Sequence, residues 1–217
     1  VVAELRYRGF STPTIHPLVV HPDTGLFTAL EDPMFTVKAV ALNHRIPSFA
    51  YALEEQFHIN VNKQKLHEAG LPVGGWLRDV KQYVWAGKPD DFRFTALLFD
   101  EHRQMEQEFV LGDVRTRFLT ISRGQKLAYV VDARFDEANE ARIVALAAHA
   151  DLFYCESPYL DADAEKARDR YHLTARQAGI MARKAQVRDL IVFHFSPRYT
   201  GQGEAIEQEA HDAFLGH

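Results

Sequence analysis

The C-terminal half of the chain alternates apolar, β-favouring runs with helical segments, and ionisable residues follow the apolar runs. Lys126–Val131 is followed by Asp132, and Leu190–Phe193 is followed by His194. This alternation favours an α/β fold, in which the carboxyl ends of parallel strands form the edge where ligands bind. A His and an Asp delivered from neighbouring strand ends are ligand types that zinc uses. Each of them alone is also an ordinary polar residue at a strand end.

The segments around these strands carry helix signals and two further ionisable residues. Glu137–Ala148 has apolar residues at the i, i+3, i+4, i+7 spacing of a helix face, and Thr174 starts a capping-box pattern. His172 therefore lies on a loop just ahead of a helix N-terminus, where the helix dipole favours nearby negative charge. Leu152–Cys155 predicts a short strand that ends at Glu156.

The N-terminal half contains a further candidate ligand between two predicted strands. Phe35–Leu42 alternates well enough for a strand, and a second strand begins at Phe49–Leu53. His44 lies between them, on a strand end or a loop. That position suits a metal ligand, although an isolated histidine of this kind is more often structural.

Residues 57–93 differ from their surroundings. Asn62–Ala69 and Trp76–Trp85 are expected to be helical, with a turn that ends in Gly74-Gly75 between them. This segment has six basic and four acidic residues, a mild positive excess, with aromatic residues interleaved. One interpretation is an arm that contacts phosphates and stacks on bases. The other, which the residues alone favour, is a helical hairpin that packs its aromatic side chains on the domain. After the segment, Thr95–Phe99 and Thr116–Ile121 are strand-like.

Composition limits the partners of the chain. With 217 residues it is compatible with one large domain or two small ones, and its net charge of −5 gives no global basic field toward nucleic acid or membranes, so such a contact needs a local patch. The single cysteine, Cys155, excludes an intrachain disulfide framework and fits a reducing cytoplasm. No apolar run is long enough to span a bilayer, so no membrane association is expected.

Several motifs together resemble ribonuclease Z of the metallo-β-lactamase superfamily. In chain order they are Leu42-Asn-His44-Arg-Ile-Pro-Ser-Phe-Ala-Tyr51, Gly70-Leu-Pro-Val-Gly74, Tyr129-Val-Val-Asp132-Ala-Arg134, Asp151-Leu-Phe-Tyr-Cys-Glu156-Ser, His172-Leu-Thr-Ala-Arg-Gln-Ala178 and Phe193-His194-Phe-Ser-Pro-Arg-Tyr199. The resemblance implies the C-terminal half of an αβ/βα sandwich with an inserted helical arm. The implied boundaries are 1–56 for a first part of the sandwich, 57–93 for the arm and 94–217 for the remainder.

The resemblance also implies a reaction, which is removal of the 3′ trailer from precursor tRNA by a binuclear zinc phosphodiesterase. His44 and His194 match histidine ligands of the two zinc ions, and Asp132 matches the aspartate that bridges them. His172 matches the histidine that assists the leaving group, and Glu156 is placed to orient it. Substrate contacts are expected from three basic residues, and a cytoplasmic homodimer is implied as well. The three basic residues are Arg78 and Lys81 in the arm and Arg198 after the last strand.

The chain also departs from the family pattern. The main signature of the family, His-x-His-x-Asp-His, is absent, and in the family it lies upstream of the His44 motif. We therefore expect residues 1–217 to be the C-terminal part of a longer protein and to be inactive alone. Gly74-Gly75 stands where the family favours Gly-Pro. Two alternatives stay open: a related phosphodiesterase acting on small phosphodiesters, and a non-catalytic half that binds RNA or a partner subunit.

Overall fold

The structure is a computed structural model that describes residues 2–3, 15–16, 18–100 and 103–217. Much of the start of the predicted 1–56 segment therefore lies outside the described residues. The chain divides into two compact units, the first made of Val1–Glu54 and Gln125–His217 and the second of Glu55–Gly124. The predicted arm, 57–93, lies within the second unit, which continues to Gly124.

The strands and helices follow one another in a mixed α/β order. The strands are β1 Val2–Ala3, β2 Ile15–His16, β3 Phe27–Glu31, β4 Phe35–Leu42, β5 Ser48–Glu55, β6 Phe57–Val61, β7 Arg93–Asp100, β8 Arg103–Val110, β9 Leu119–Arg123, β10 Lys126–Val130, β11 Leu152–Glu156 and β12 Asp189–Phe193. The α-helices are α1 Lys63–Glu68, α2 Trp76–Trp85, α3 Leu111–Phe118, α4 Glu137–Ala147, α5 Ala164–Arg170, α6 Ala175–Lys184 and α7 Gly203–Leu215. The predicted α/β class is confirmed.

The first unit is built on a six-stranded sheet of order β12-β11-β10-β5-β4-β3. β10, β11 and β12 are mutually parallel, and β5 runs antiparallel to β10. The carboxyl ends of the three parallel strands therefore share one edge, as the alternating pattern predicts. In this unit α4 packs on β4 and β10, while α6 packs on β11 and β12.

The two faces of this sheet differ in their surroundings. The helix-covered face forms a core that includes Val40, Val130 and Phe153, each 0% exposed. The other face carries a cross-strand row that contains Tyr51 and Tyr129, which are 44% and 39% exposed. Alternate residues of a strand point to opposite faces, so each strand contributes to both. One covered face and one open apolar face is the layer arrangement expected of half a sandwich.

The second unit has its own aromatic core. Trp76 of α2 is buried and stacks on Phe109 at a centroid distance of 5.1 Å, and its indole Nε1 donates to the Pro72 carbonyl. Tyr83 lies edge-on to Phe92 at 5.0 Å. These rings are used in packing, which is the interpretation that the residues alone favour. The predicted helices are present, and Asn62 caps α1 by accepting from the backbone N–H of Lys65.

The strand predicted for Thr116–Ile121 is only partly present. Residues 116–118 belong to α3, which continues to Phe118, and β9 begins at Leu119 and contains the rest. Leu111, Val114 and Phe118 are all buried, at the spacing of one helix face. Burial of this face outweighs the β-preference of the threonine.

Among the described residues, no helix is long and apolar enough to cross a membrane.

Candidate metal centre

The carboxyl edge of the parallel strands gathers four of the predicted site residues. Asp132 follows β10, Glu156 ends β11 and His194 follows β12. His172 reaches the same place from the loop between α5 and α6. One ligand atom from each of these four side chains lies within 4.8 Å of the others, an arrangement that suits a metal ion.

Glu156 is the buried hub of this cluster. Its side chain is 0% exposed, and it accepts backbone N–H groups from Asp132 at 2.8 Å and from Ala133 at 3.1 Å. Its carboxylate also lies 3.1 Å from Nδ1 of both His172 and His194. Burial alone would raise the pKa of Glu156, but hydrogen bonds from the two histidines and from the backbone lower that pKa to about 2. The carboxylate is therefore charged and fully occupied by its partners.

The two histidines share this carboxylate as a partner. The hydrogen bond to Glu156 raises the pKa of His194 above its ordinary value, although burial acts in the opposite direction. His172 Nδ1 lies 4.0 Å from Asp132 Oδ1, and the His172 and His194 rings are 5.4 Å apart. In both histidines Nδ1 faces the carboxylate, which leaves Nε2 for a ligand or a substrate.

His44 lies beside this cluster. Its ring centroid is 5.2 Å from that of His172. Its Nε2 atom is buried and has no hydrogen-bond partner among the described residues. A buried polar atom without a partner is unfavourable by about 1–3 kcal/mol, and coordination of a metal removes that deficit. His44, Asp132 and His194 together offer two imidazoles and a carboxylate, and the unpartnered Nε2 belongs to one of these imidazoles, so the donor set fits a zinc ion.

The backbone at the site is strained at three positions. Asp132, Tyr171 and His194 all adopt positive φ angles, of 54°, 66° and 63°. A non-glycine residue in this region costs of order 1 kcal/mol, and such residues concentrate at functional sites. Two of these left-handed residues, Asp132 and His194, lie at the carboxyl ends of β10 and β12.

A cleft of about 780 Å³ opens next to the cluster and is lined by His44 and His172. Four cationic side chains and one carboxylate, that of Asp169, also line it. The four cationic residues are Arg45, Lys166, Arg170 and Arg198. An excess of positive charge in a cleft attracts phosphate groups.

The predicted substrate-binding residues belong to both units. In the first unit, Arg198 lines the cleft and its guanidinium lies 3.4 Å from the Asp163 carboxylate. In the second unit, Arg78 and Lys81 lie on α2, and Arg78 pairs with Asp79 at 3.8 Å.

Sequence reasoning missed two residues that support the site. Tyr171 lies under the guanidinium groups of Arg45 and Arg134, at 5.3 and 5.8 Å. Asn139, buried inside the first turn of α4, contacts two of the site loops. The available signal for Asn139 is its position three residues after the capping Asp136 and one helical turn before the apolar Ile143.

Comparison with known proteins identifies the relatives of this chain. It is 32% identical to a ribonuclease Z of Deinococcus radiodurans over 178 residues, which is 82% of this chain and 49% of the relative. It is 31% identical to a ribonuclease Z of Crocosphaera subtropica over 206 residues, which is 93% of this chain and 57% of the relative. The chain thus spans about half the length of the curated relatives it matches. No family model matches the chain.

Solved structures with a likeness to the chain include the short form of human tRNase Z. Its TM-score is 0.46 at 19% identity, with 84% of this chain and 45% of that chain covered. A metallo-β-lactamase fold protein of Bacillus subtilis has a TM-score of 0.47 at 13% identity, covering 86% of this chain and 46% of its own. By its sequence relatives, the resemblance of this chain to ribonuclease Z is confirmed over most of its length.

Proposed function

We propose that the gene product containing this chain is a zinc-dependent endoribonuclease that removes 3′ trailers from precursor tRNA. The observation that carries the proposal is the convergence of Asp132, Glu156, His172 and His194 at one strand edge, in a chain whose curated relatives are ribonucleases Z. The cationic cleft beside that edge supports RNA as the substrate class.

The metal would be held by His44, Asp132 and His194. These residues offer imidazole nitrogens and a carboxylate, and the His44 Nε2 atom lacks any other partner among the residues described. When bound, zinc supplies a Lewis acid and acidifies water near neutral pH. The resemblance to the family implies two zinc ions in a complete site, and Asp132 would be one of the residues that hold them.

His172 would move the proton to the leaving group. Its Nδ1 is held 3.1 Å from a Glu156 oxygen, and its ring lines the cleft. With Nδ1 held by the carboxylate, Nε2 is the nitrogen that donates the proton to the departing ribose oxygen. Glu156 fixes the orientation of the imidazole through this contact.

Substrate binding would use the cations of the cleft. Arg198, with Arg45 and Arg170, would contact phosphates of the RNA backbone next to the scissile bond. Arg78 and Lys81 of the second unit would contact the body of the tRNA. A homodimer and a cytoplasmic location are also part of the proposal, supported by the family resemblance and by the single cysteine.

The test is cleavage by the complete gene product of a 3′-extended precursor tRNA, for the wild type and for Asp132→Ala. We expect the variant to lose activity by at least about a thousandfold, since ligand loss removes the metal's contribution to the transition state. Its circular dichroism spectrum should match that of the wild type. An Asp132→Ala protein that stays zinc-loaded and active contradicts the proposal.

The two alternatives give different outcomes in the same assay. A phosphodiesterase for small substrates would hydrolyse bis(p-nitrophenyl) phosphate and leave the extended tRNA intact. A non-catalytic half would bind the tRNA in a gel-shift assay and cleave neither substrate. Glu165→Gln, an exposed carboxylate on α5, is the matched control for loss of one negative charge.

A further inference from the structure

The loops that carry His44 and Asp132 come from strands that are not neighbours. His44 follows β4 and Asp132 follows β10, and β5 lies between these two strands in the sheet. Strand pairing therefore does not fix the distance between the loops directly. One backbone hydrogen bond joins them, from the N–H of Arg134 to the carbonyl of Asn43 at 2.9 Å.

The side chain of Asn139 ties the same two loops together. Its Oδ1 accepts the backbone N–H of Asn43 at 2.8 Å, and its Nδ2 donates to the Asn43 carbonyl at 2.9 Å. The same Nδ2 donates to the Arg134 carbonyl at 2.7 Å. Asn43 precedes His44, and Arg134 lies two residues after Asp132. One buried amide group therefore contacts both segments that carry candidate metal ligands.

Asp136 completes the arrangement from the N-cap of α4. Its Oδ1 accepts the backbone N–H of Asn139 at 2.8 Å, and its Oδ2 accepts from the Asn43 side chain at 3.2 Å. These hydrogen bonds connect the first turn of α4 to the segment that carries His44. Asn139 is 0% exposed, so water does not replace these bonds when one is lost.

We infer that Asn139 is a positioning residue that sets the separation of the His44 loop from the Asp132 loop, and thereby the geometry of the metal site. Only an amide serves here, because the position needs one acceptor and two donors at a single planar group. Any effect of Asn139 on catalysis rests on the proposed function, because it acts through the proposed metal ligands. The structural coupling itself is measured on the metal-free 217-residue chain.

The experiment compares Asn139→Asp with the wild type by hydrogen–deuterium exchange in the metal-free chain. Aspartate keeps the acceptor for the Asn43 N–H but places an oxygen opposite two carbonyls. We expect backbone amides in residues 41–48 and 131–135 to exchange about tenfold faster, as for loss of a buried hydrogen bond. Residues of β11 should be unchanged.

Two further variants separate positioning from general loss of stability. Ile143→Val shortens a buried side chain one turn further along the same helix, and the isoleucine side chain makes no hydrogen bond to either loop. It serves as the control for a general loss of stability, with exchange compared at an equal distance below each protein's melting temperature. Asn139→Ser, which keeps a hydroxyl, is the second variant if Asn139→Asp fails to fold. Faster exchange in both loops for an Asn139 variant but not for Ile143→Val supports the inference. Exchange that is unchanged, or that rises in one loop only, overturns it.

Zinc affinity then distinguishes the two proposals. A competitive chelator titration of the complete gene product should show affinity lowered about tenfold in Asn139→Asp, as for other residues that orient ligands. If exchange rises in both loops but the wild type binds no zinc, the coupling stands and the proposed function fails. If the wild type binds zinc and the variant binds equally well with unchanged exchange, the proposed function stands and this inference fails.

Discussion

Oε2 of Glu156 accepts a hydrogen bond from the backbone N–H of Asp132 at 2.8 Å. A buried carboxylate at the end of β11 thus holds the turn that follows the neighbouring strand β10. The Asp132 backbone lies at a φ of 54° in this turn, which is unfavourable unless its surroundings compensate. The bond therefore stabilises both the turn and the direction in which the Asp132 side chain points.

Glu156→Gln is expected to destabilise the chain. The amide cannot accept from two backbone N–H groups and two imidazoles at once, so buried donors lose their partners. We expect the free energy of unfolding to fall by about 3 kcal/mol, typical when one member of a buried charged network is removed. Urea unfolding at pH 7 measures it.

The control for this substitution is Glu165→Gln, on the exposed surface of α5. It removes the same charge from a solvated site and should change the free energy of unfolding by less than about 0.5 kcal/mol. Equal effects of the two substitutions would mean that the network around Glu156 contributes little.

Stability should depend on pH through Glu54. Burial would raise the pKa of Glu54, but hydrogen bonds from Lys38 and Lys126, at 2.7 and 3.0 Å, hold it below its ordinary value. Because the folded-state pKa is lowered, the contribution of Glu54 to the free energy of unfolding is fully present above the unfolded-state pKa of about 4.3. It is lost as the pH falls through the lower folded-state pKa. Unfolding curves from pH 7 to pH 3 should show this loss in the wild type, with a smaller loss in Glu54→Gln.

Gly179 marks the closest approach of α6 to α7. A Cβ built there would lie 2.1 Å from the carbonyl oxygen of Ala210. Because this neighbour is backbone, the helices must separate to accept a methyl group, and Gly179→Ala should destabilise by about 1–3 kcal/mol. Thermal unfolding measures it. The control is Gly74→Ala, because a Cβ at Gly74 meets no backbone atom. Gly87→Ala does not serve as a control, because the φ of 65° at Gly87 is strained for alanine.

RNA binding should depend on the cations of the cleft. The double variant Arg45→Ala with Arg170→Ala removes two positive charges that line it. We expect weaker binding of precursor tRNA, with the slope of log K against log salt reduced by about 2. Arg176→Ala, exposed on α6, should leave the slope unchanged. An unchanged slope in the double variant would mean that the RNA does not enter this cleft.

The local sequence pattern predicts much of the sheet and the site edge. Apolar runs followed by Asp132 and His194 predict the shared edge because parallel strands must place their carboxyl ends together. The capping box at Thr174 is present, with Gln177 accepting the Thr174 N–H. Both signals depend only on residues that are close in sequence, so they can be recognised without knowledge of tertiary contacts.

Other features depend on contacts distant in sequence. Asn139 and Asn43 are 96 residues apart, and no local pattern pairs them. The first half of the Thr116–Ile121 prediction is wrong because burial of one face of α3 keeps residues 116–118 helical. The left-handed conformation of Tyr171 likewise has no local signal, since glycine and asparagine are the usual residues in that region.

The zinc stoichiometry of the complete gene product tests the assignment of the metal centre most directly. Native mass spectrometry before and after chelation would be applied to the wild type and to Asp132→Ala, with Glu165→Gln as the charge control. We expect about two zinc ions per chain in the wild type and in the control, both removed by chelation, and fewer in Asp132→Ala. Two zinc ions retained by Asp132→Ala would contradict the assignment of the metal centre.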